Sequence, residues 1–304
     1  MRLKEINLTL EKGNLLSFIY VLPALLIVLF VQVIPIFYGI FISFFNYDLS
    51  RLNITRDFTG LDNYARMIGD SSVWRALFNV IAFTVMAIGG DVLIGTAVSL
   101  VLHSISFGVS RILRPIITVP LLVSPIIVGL VWRYMLDPLS GIVYWFLGFF
   151  GIDSTIFPGI AGASTALLCV AMAHWWQVAP FVIIVVSAGL VSIPVEYYEA
   201  GRIDGANFIQ MFFKVTLPHL RNIYMVVMVT AGVDTLKVYD IVFSMTGGGP
   251  FDSTLSLTMY AFRRAFVRPE MGYAMAISCL SMAVSFLIFG IAFSRYNQRE
   301  AREY

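Results

Sequence analysis

Residues 163–191 read ASTALLCVAMAHWWQVAPFVIIVVSAGLV, 29 consecutive positions without an Asp, Glu, Lys or Arg. A hydrocarbon layer about 30 Å thick is crossed by roughly 20 apolar residues in a helix, so this stretch is long enough to span it. Transmembrane strands would be about half as long and would alternate in polarity, which this stretch does not. Working outward, similar runs lie near residues 15–45, 77–102 and 112–136 before it, and near 223–246 and 273–293 after it. The whole composition agrees, with 59% hydrophobic residues against 12% charged ones. The expected fold is an all-α integral membrane protein of about six transmembrane helices, with residues 1–304 forming a single transmembrane domain.

A net charge of +2 with scattered basic residues gives no footprint for nucleic acid. Cys169 and Cys279 fall inside expected spans, where thiols read as small apolar packers. The first apolar run exceeds a signal-peptide core and is expected to remain as an uncleaved helix. Orientation follows from Lys and Arg in the loops. A cytoplasmic N-terminus assigns Arg2, Lys4, Lys12, Arg111, Arg114, Arg202, Lys214, Arg221, Arg295, Arg299 and Arg302 to the inside. It assigns Arg51, Arg56, Arg66, Arg75, Arg263, Arg264 and Arg268 to the outside, so the count favours two cytoplasmic termini.

The loop at 192–220 is too long for a plain connection and is expected to carry two short helices. Pro194 suits a first helical turn, and Glu196 and Glu199 are well placed against the helix dipole. Gly205 permits a break. Beyond it Phe208, Met211, Phe212 and Val215 fall at i, i+3, i+4 and i+7, one face of a second helix that Pro218 is expected to stop. On spacing alone, this apolar stripe has three uses open to it: lying on the membrane surface, folding under its own helices, or docking a partner.

The residues around the stripe carry a resemblance. Glu199-Ala200-Gly201, three residues, Gly205, nine residues, Val215, one residue and Leu217-Pro218 resemble the EAA loop of binding-protein-dependent ABC importer permeases. Asp204-Gly205-Ala206 also matches the Asp-Gly-Ala often found there, while Gly201 and Val215 depart from the usual Ala and Ile. Phe58-Thr59-Gly60-Leu61-Asp62-Asn63-Tyr64 is similar to a stretch outside the first span of carbohydrate-type permeases. Tyr239-Asp240 followed by Met245-Thr246-Gly247-Gly248-Gly249-Pro250 is similar to the end of the fifth span in that group.

The resemblance implies the type I ABC importer permease fold, with 192–220 as a cytoplasmic coupling loop docked in a groove of an ATP-binding subunit. Glu199, Ala200, Gly201, Asp204, Gly205, Ala206, Phe208, Phe212, Leu217 and Pro218 would form that contact, with Glu199 facing the ATPase and Phe208 and Phe212 as anchors. It further implies a second, non-identical permease, two ATP-binding subunits and an extracytoplasmic solute-binding protein. The chain is then a non-catalytic permease in the cytoplasmic membrane. It has no Gly-x-x-x-x-Gly-Lys-Ser/Thr loop, so ATP and Mg belong to the partner subunits and no cofactor or metal is expected here. The outer loop at 47–74 is open to two uses, contacting the binding protein or packing on its own spans.

Charges at membrane depth are costly unless paired or facing water. Asp91 lies in the second span, His174 in the fourth, and Asp234, Lys237 and Asp240 in the fifth. Asp234 and Lys237, at i and i+3, either neutralise each other or join Asp240 along a polar path for the solute. A sugar needs polar groups beside aromatic rings, which makes Trp176 and Gln177 candidates, although interfacial anchoring is the reading the Trp residues suit better. Two rival functions remain. An ion-driven secondary transporter could use Asp91 or Asp240 for coupling, but it has no use for a coupling loop. An intramembrane serine protease would need Ser164 and His174 in hydrogen-bond reach, and ten helical residues set them about 15 Å apart.

Overall fold

The computed structural model describes residues 20–49 and 56–303. The start of the first run and the basic residues Arg2, Lys4, Lys12 and Arg51 lie outside the described residues, as do the side chains of Arg295, Arg299 and Arg302. The first helix, α1 (Tyr20–Ile42), is apolar all round, and only Ile42 is buried against the rest of the chain. That is the pattern of a helix solvated by lipid. It ends in a short antiparallel ribbon of β1 (Phe45–Tyr47) and β2 (Arg56–Phe58), with Phe45 opposite Phe58. Gly60, at φ +59°, then turns the chain into α2 (Asp62–Gly69). Asn63 Nδ2 donates to the carbonyls of Ser43 and Phe45 at 2.8 and 2.9 Å, closing the ribbon. Leu49 N–H donates to Pro269 O, and Asp48 bridges to Glu270. The described part of the 47–74 loop therefore packs on its own spans.

Two long helices make the centre. Asp70 caps α3 (Ser71–Ser104) by accepting from Ser72 N–H, and α3 packs along α7 (Ala166–Ser192). Close approach comes from small residues, as membrane helices generally use them. A Cβ on Gly90 would strike the Trp175 ring, and one on Gly95 would strike Val182. Between these two helices the expected span at 112–136 is not one rod. It is α4 (Phe107–Thr118), a tight turn, and α5 (Pro125–Met135), and the two arms meet at 97°. Val123 and Ser124 are extended there, the conformation that Pro125 imposes on the residue before it. A short helix, α6 (Ile142–Gly148), leads into α7.

The coupling loop contains α8 (Val195–Ile203) and α9 (Phe208–Met211), after which come α10 (Arg221–Leu236), α11 (Asp240–Met245), α12 (Leu257–Phe262) and α13 (Met271–Glu303). The expected fifth span, 223–246, is also broken, at 237–239 between α10 and α11. Lys237 and Val238 N–H donate to Asp234 and Thr235 carbonyls three residues back, closing α10 with a tight turn. Ser256 Oγ donates to the Val238 carbonyl that the break sets free. Such compensation is what lets an irregular backbone persist at membrane depth. Among the described residues four helices are long and apolar enough to cross a membrane, and the α4–α5 pair brings the number to five. The remaining expected span, 223–246, is the broken α10–α11 pair, which that count does not include.

Candidate functional site

The coupling loop is a closed hairpin. Pro194 stands at the N-cap of α8 rather than in its first turn, and Asp204 is the C-cap that follows Ile203. Gly205 has φ +73°, Gly205 N–H donates to Arg202 O and Ala206 N–H to Gly201 O. This pair of bonds is a Schellman ending, which requires a left-handed residue at the Gly205 position. Asn207 and Gln210 then exchange side-chain-to-backbone bonds at both ends of a capping box, restarting the helix as α9. Tyr198 and Thr216 hydroxyls lie 3.1 Å apart and the Tyr197 and His219 rings 4.8 Å, so the hairpin's two arms are tied side by side.

Pro218 does not stop the second helix, contrary to the sequence expectation. The chain passes from α9 through a wider π-type turn, Phe212–Thr216, into Leu217–His219. Leu217 N–H reaches back to Phe212 O, and Pro218, having no N–H, makes no demand on Lys214. The extra residue rotates the stripe. Met211, Phe212 and Val215 turn half-buried toward the body, where Met211 lies over Gly201 in space that an Ala side chain would crowd. Phe208 remains 74% exposed, and Ile209 and Phe213, which the spacing did not single out, are 65% and 60% exposed. Glu199, Ala200, Asp204 and Pro218 are exposed beside them, while Gly201, Ala206 and Leu217 are half-buried. Phe212 and Phe208 instead line a cavity of about 570 Å³ between the hairpin and the ends of α3 and α7.

A second group sits at the α10–α11 break. Asp234, Lys237 and Asp240 are all exposed, and no ion pair joins them among the described residues. The mutual-neutralisation reading therefore does not hold in this structure. Beside them Tyr239 stacks on Phe243 at 5.4 Å and 15°, and Phe262 lies against both rings. Of these rings only Tyr239 stands among the residues that carry the fifth-span resemblance; Phe243 and Phe262 come from two separate helices, α11 and α12, that only the fold brings together.

The fourth-span candidates diverge, as four consecutive helical residues must. His174 Nε2 meets Asp91 Oδ2 at 3.2 Å in the α3–α7 seam, and Asp91 is 0% exposed. Trp175 packs into that seam and donates to Met86 O, so it is not an interfacial anchor. Gln177 is buried and donates to Val123 O, the carbonyl freed at the α4–α5 bend. Only Trp176 faces outward.

Comparison with known proteins matches this architecture. Residues 92–302 fit the family of the binding-protein-dependent transport system inner membrane component. The chain is 31% identical to the probable ABC transporter permease YesP of Bacillus subtilis, over 94% of this chain and 91% of that protein. It is 29% identical to the trehalose/maltose transport system permease MalF of Thermococcus litoralis, over 93% and 95%. It is 27% identical to the sulfoquinovosyl glycerol transport permease SmoG of Agrobacterium fabrum, over 93% and 91%. Its fold superposes on a chain of a bacterial ABC transporter for alginate with TM-score 0.80 at 20% identity, covering 98% of this chain and 99% of that one. This chain belongs to the family of binding-protein-dependent transport system inner membrane components. It is accordingly a membrane-embedded, non-catalytic permease subunit of an ABC importer, neither an ion-driven transporter nor an intramembrane enzyme.

Proposed function

We propose that this permease carries a sugar or sugar-like solute across the cytoplasmic membrane by alternating access. The observation that carries the reading is the α10–α11 break, where three exposed charged side chains stand beside stacked aromatic rings. Hydroxyl groups find polar partners there, and the C–H face of a sugar ring finds an aromatic platform. Transporters place solutes at such breaks in otherwise continuous helices. The names of the trehalose/maltose and sulfoquinovosyl glycerol permeases support the same solute class. On this reading Lys237, Asp240 and Asp234 line the path with Tyr239 and Phe243, Trp176 faces the companion permease or the path, and Gln177 holds the bend beside it.

The working assembly pairs this chain with a second, non-identical permease, two ATP-binding subunits that hold ATP and Mg, and an extracytoplasmic solute-binding protein, with both termini of this chain in the cytoplasm. The relative in complex with an alginate-pentasaccharide-bound periplasmic protein supports the last of these partners. The α8–α9 hairpin docks on the ATPase, so that closure of the ATPase dimer opens the spans outward and hydrolysis returns them inward. Glu199, Gly205, Phe208 and Phe213 meet the ATPase, and Phe212 braces the hairpin from beneath.

The test is ATPase activity in vesicles holding this chain with its companion permease and ATPase, against a panel of solute-loaded binding proteins. Stimulation by a sugar-loaded binding protein is expected. Stimulation only by one carrying an amino acid or peptide would overturn the solute class while leaving the permease assignment standing.

A further inference from the structure

Between α5 and α7 the chain exposes a second apolar face that the importer mechanism leaves unused. Ile142, Trp145, Phe146, Phe149 and Phe150 fall at i, i+3, i+4, i+7 and i+8, and all five are exposed. Trp145 stacks edge-on against Phe149 at 4.8 Å and Phe146 against Phe150 at 5.5 Å. The opposite side is already occupied. Val143 packs on the α3–α7 core, and Tyr144 donates to Phe157 O. The stripe is therefore fixed in direction, with its aromatic side turned out of the molecule. Seven helical residues span about 10 Å, far too little to cross a membrane.

Carboxylates bracket the stripe. Asp137 accepts from Leu139 and Ser140 N–H, and Asp153 from Thr155 and Ile156 N–H. At Asp137 the backbone bonds hold the carboxyl below its ordinary range, and at Asp153 the Thr155 hydroxyl and backbone do the same, so both stay ionised. Both ends of the segment must then remain in water or among headgroups while the middle sheds water. The connection from residue 134 to residue 165, just before α7 begins, contains no Lys or Arg, the composition of a non-cytoplasmic loop. On α5, Ile127, Val131 and Tyr134 fall at i, i+4 and i+7 and are likewise exposed.

We infer that α6 and its following turn form an in-plane membrane anchor. Its Trp145–Phe150 face is seated in the headgroup–acyl boundary of the outer leaflet, with Asp137 and Asp153 at headgroup level. Short helices with an apolar aromatic face and polar ends bind in this way, and Trp is favoured at that depth. The anchor holds the outer ends of α5 and α7 at a fixed level while other spans tilt. None of this depends on the solute carried.

The assembled importer is reconstituted in phosphatidylcholine brominated either high in the acyl chain or near its end. Tryptophan quenching is compared between the parent and Trp145→Phe, so that the difference reports Trp145. Quenching about twofold stronger by the shallow label is expected. Phe149→Trp placed in the Trp145→Phe background moves the reporter one turn along the same face and should repeat the result. Two outcomes overturn the inference. In one, both reporters are quenched by aqueous acrylamide and by neither lipid. In the other, lipid quenches them in this chain alone but not in the assembled importer, which would make the face a permease–permease contact.

Discussion

Asp70 joins four parts of one end of the molecule. It caps α3 through Ser72 N–H, accepts the hydroxyls of Tyr260 at 2.5 Å and Tyr273 at 2.7 Å, and lies 3.5 Å from the Arg264 guanidinium. Arg264 and Arg66 both reach Glu270, which extends the cluster to the start of α13. Burial pushes the Asp70 carboxyl up, but the two tyrosine hydroxyls, Ser72 N–H and Arg264 outweigh it and hold it below its ordinary range. A carboxyl depressed by folding adds stability above its unfolded value of about 3.9, and that stability is lost as pH falls through the lower folded value. Asp70→Asn should therefore cost about 2 kcal/mol at neutral pH and shrink the loss of stability on acidification. Thermal unfolding of the purified chain at stepped pH checks this, and equal acid sensitivity in both proteins would refute it. Gly205 is a different kind of constraint, because its φ of +73° is a backbone demand rather than a contact. Gly205→Val should cost more than about 1 kcal/mol locally and abolish stimulated ATPase activity, whereas Gly205→Asn, tolerated in that region, should keep much of it. Membrane insertion should be unchanged in both variants, as a protease-protection assay would report.

At the scale of elements, the hairpin presents one exposed and one half-buried face, which the proposed docking gives separate duties. Phe213→Ser removes an exposed ring and should weaken assembly with the ATPase about fivefold or more, with little change in the unfolding midpoint. Phe212→Ala removes a half-buried ring and should do the reverse, lowering stability by about 1–2 kcal/mol with a smaller effect on assembly. Co-purification against ATPase concentration, paired with thermal unfolding, separates them; identical behaviour of the two variants would show that the π-type turn does not divide the stripe as described. This division also marks how far the sequence could be read. The EAA spacing was legible because Gly205 and the length of the loop express local backbone needs. The inward rotation of Phe212 was not, since a π-type turn adds one residue to a period that spacing rules hold constant. The long apolar runs at 77–102 and 163–191 announced α3 and α7, whereas the α4–α5 bend and the α10–α11 break left hydropathy untouched. Their carbonyls are satisfied from elsewhere, by Gln177 on Val123 and Ser256 on Val238, and such tertiary partners have no local signature.

Across the whole molecule, α10 connects the hairpin to the α10–α11 break. It starts at Arg221, one residue beyond the hairpin's last turn, and ends at Leu236 beside the charged break, a rod of about 24 Å. Its first turns are held by Leu220, Tyr224 and Val227 in the cluster under the hairpin, with the Tyr224 and Thr96 hydroxyls 2.8 Å apart. Its far end is held by Leu236 and Val233 against Val80 and Phe289. On the proposed function, a displacement of the hairpin by the ATPase would be delivered to the α10–α11 break by one stiff element, and stiffness is the property to vary. Val226 and Thr230 are exposed on α10, so Val226→Gly with Thr230→Gly removes no core packing while setting helix propensity roughly 1 kcal/mol below alanine at each position. The expected outcome is an uncoupled importer, with ATP hydrolysis near the parent rate and uptake per ATP reduced severalfold. Alanine at the same two positions keeps the rod helical and should restore coupling. Parallel measurement of hydrolysis and sugar uptake in vesicles decides the matter: equal loss of both activities would mean that α10 only holds the permease together, and no loss of either would mean that the signal travels through α7 instead.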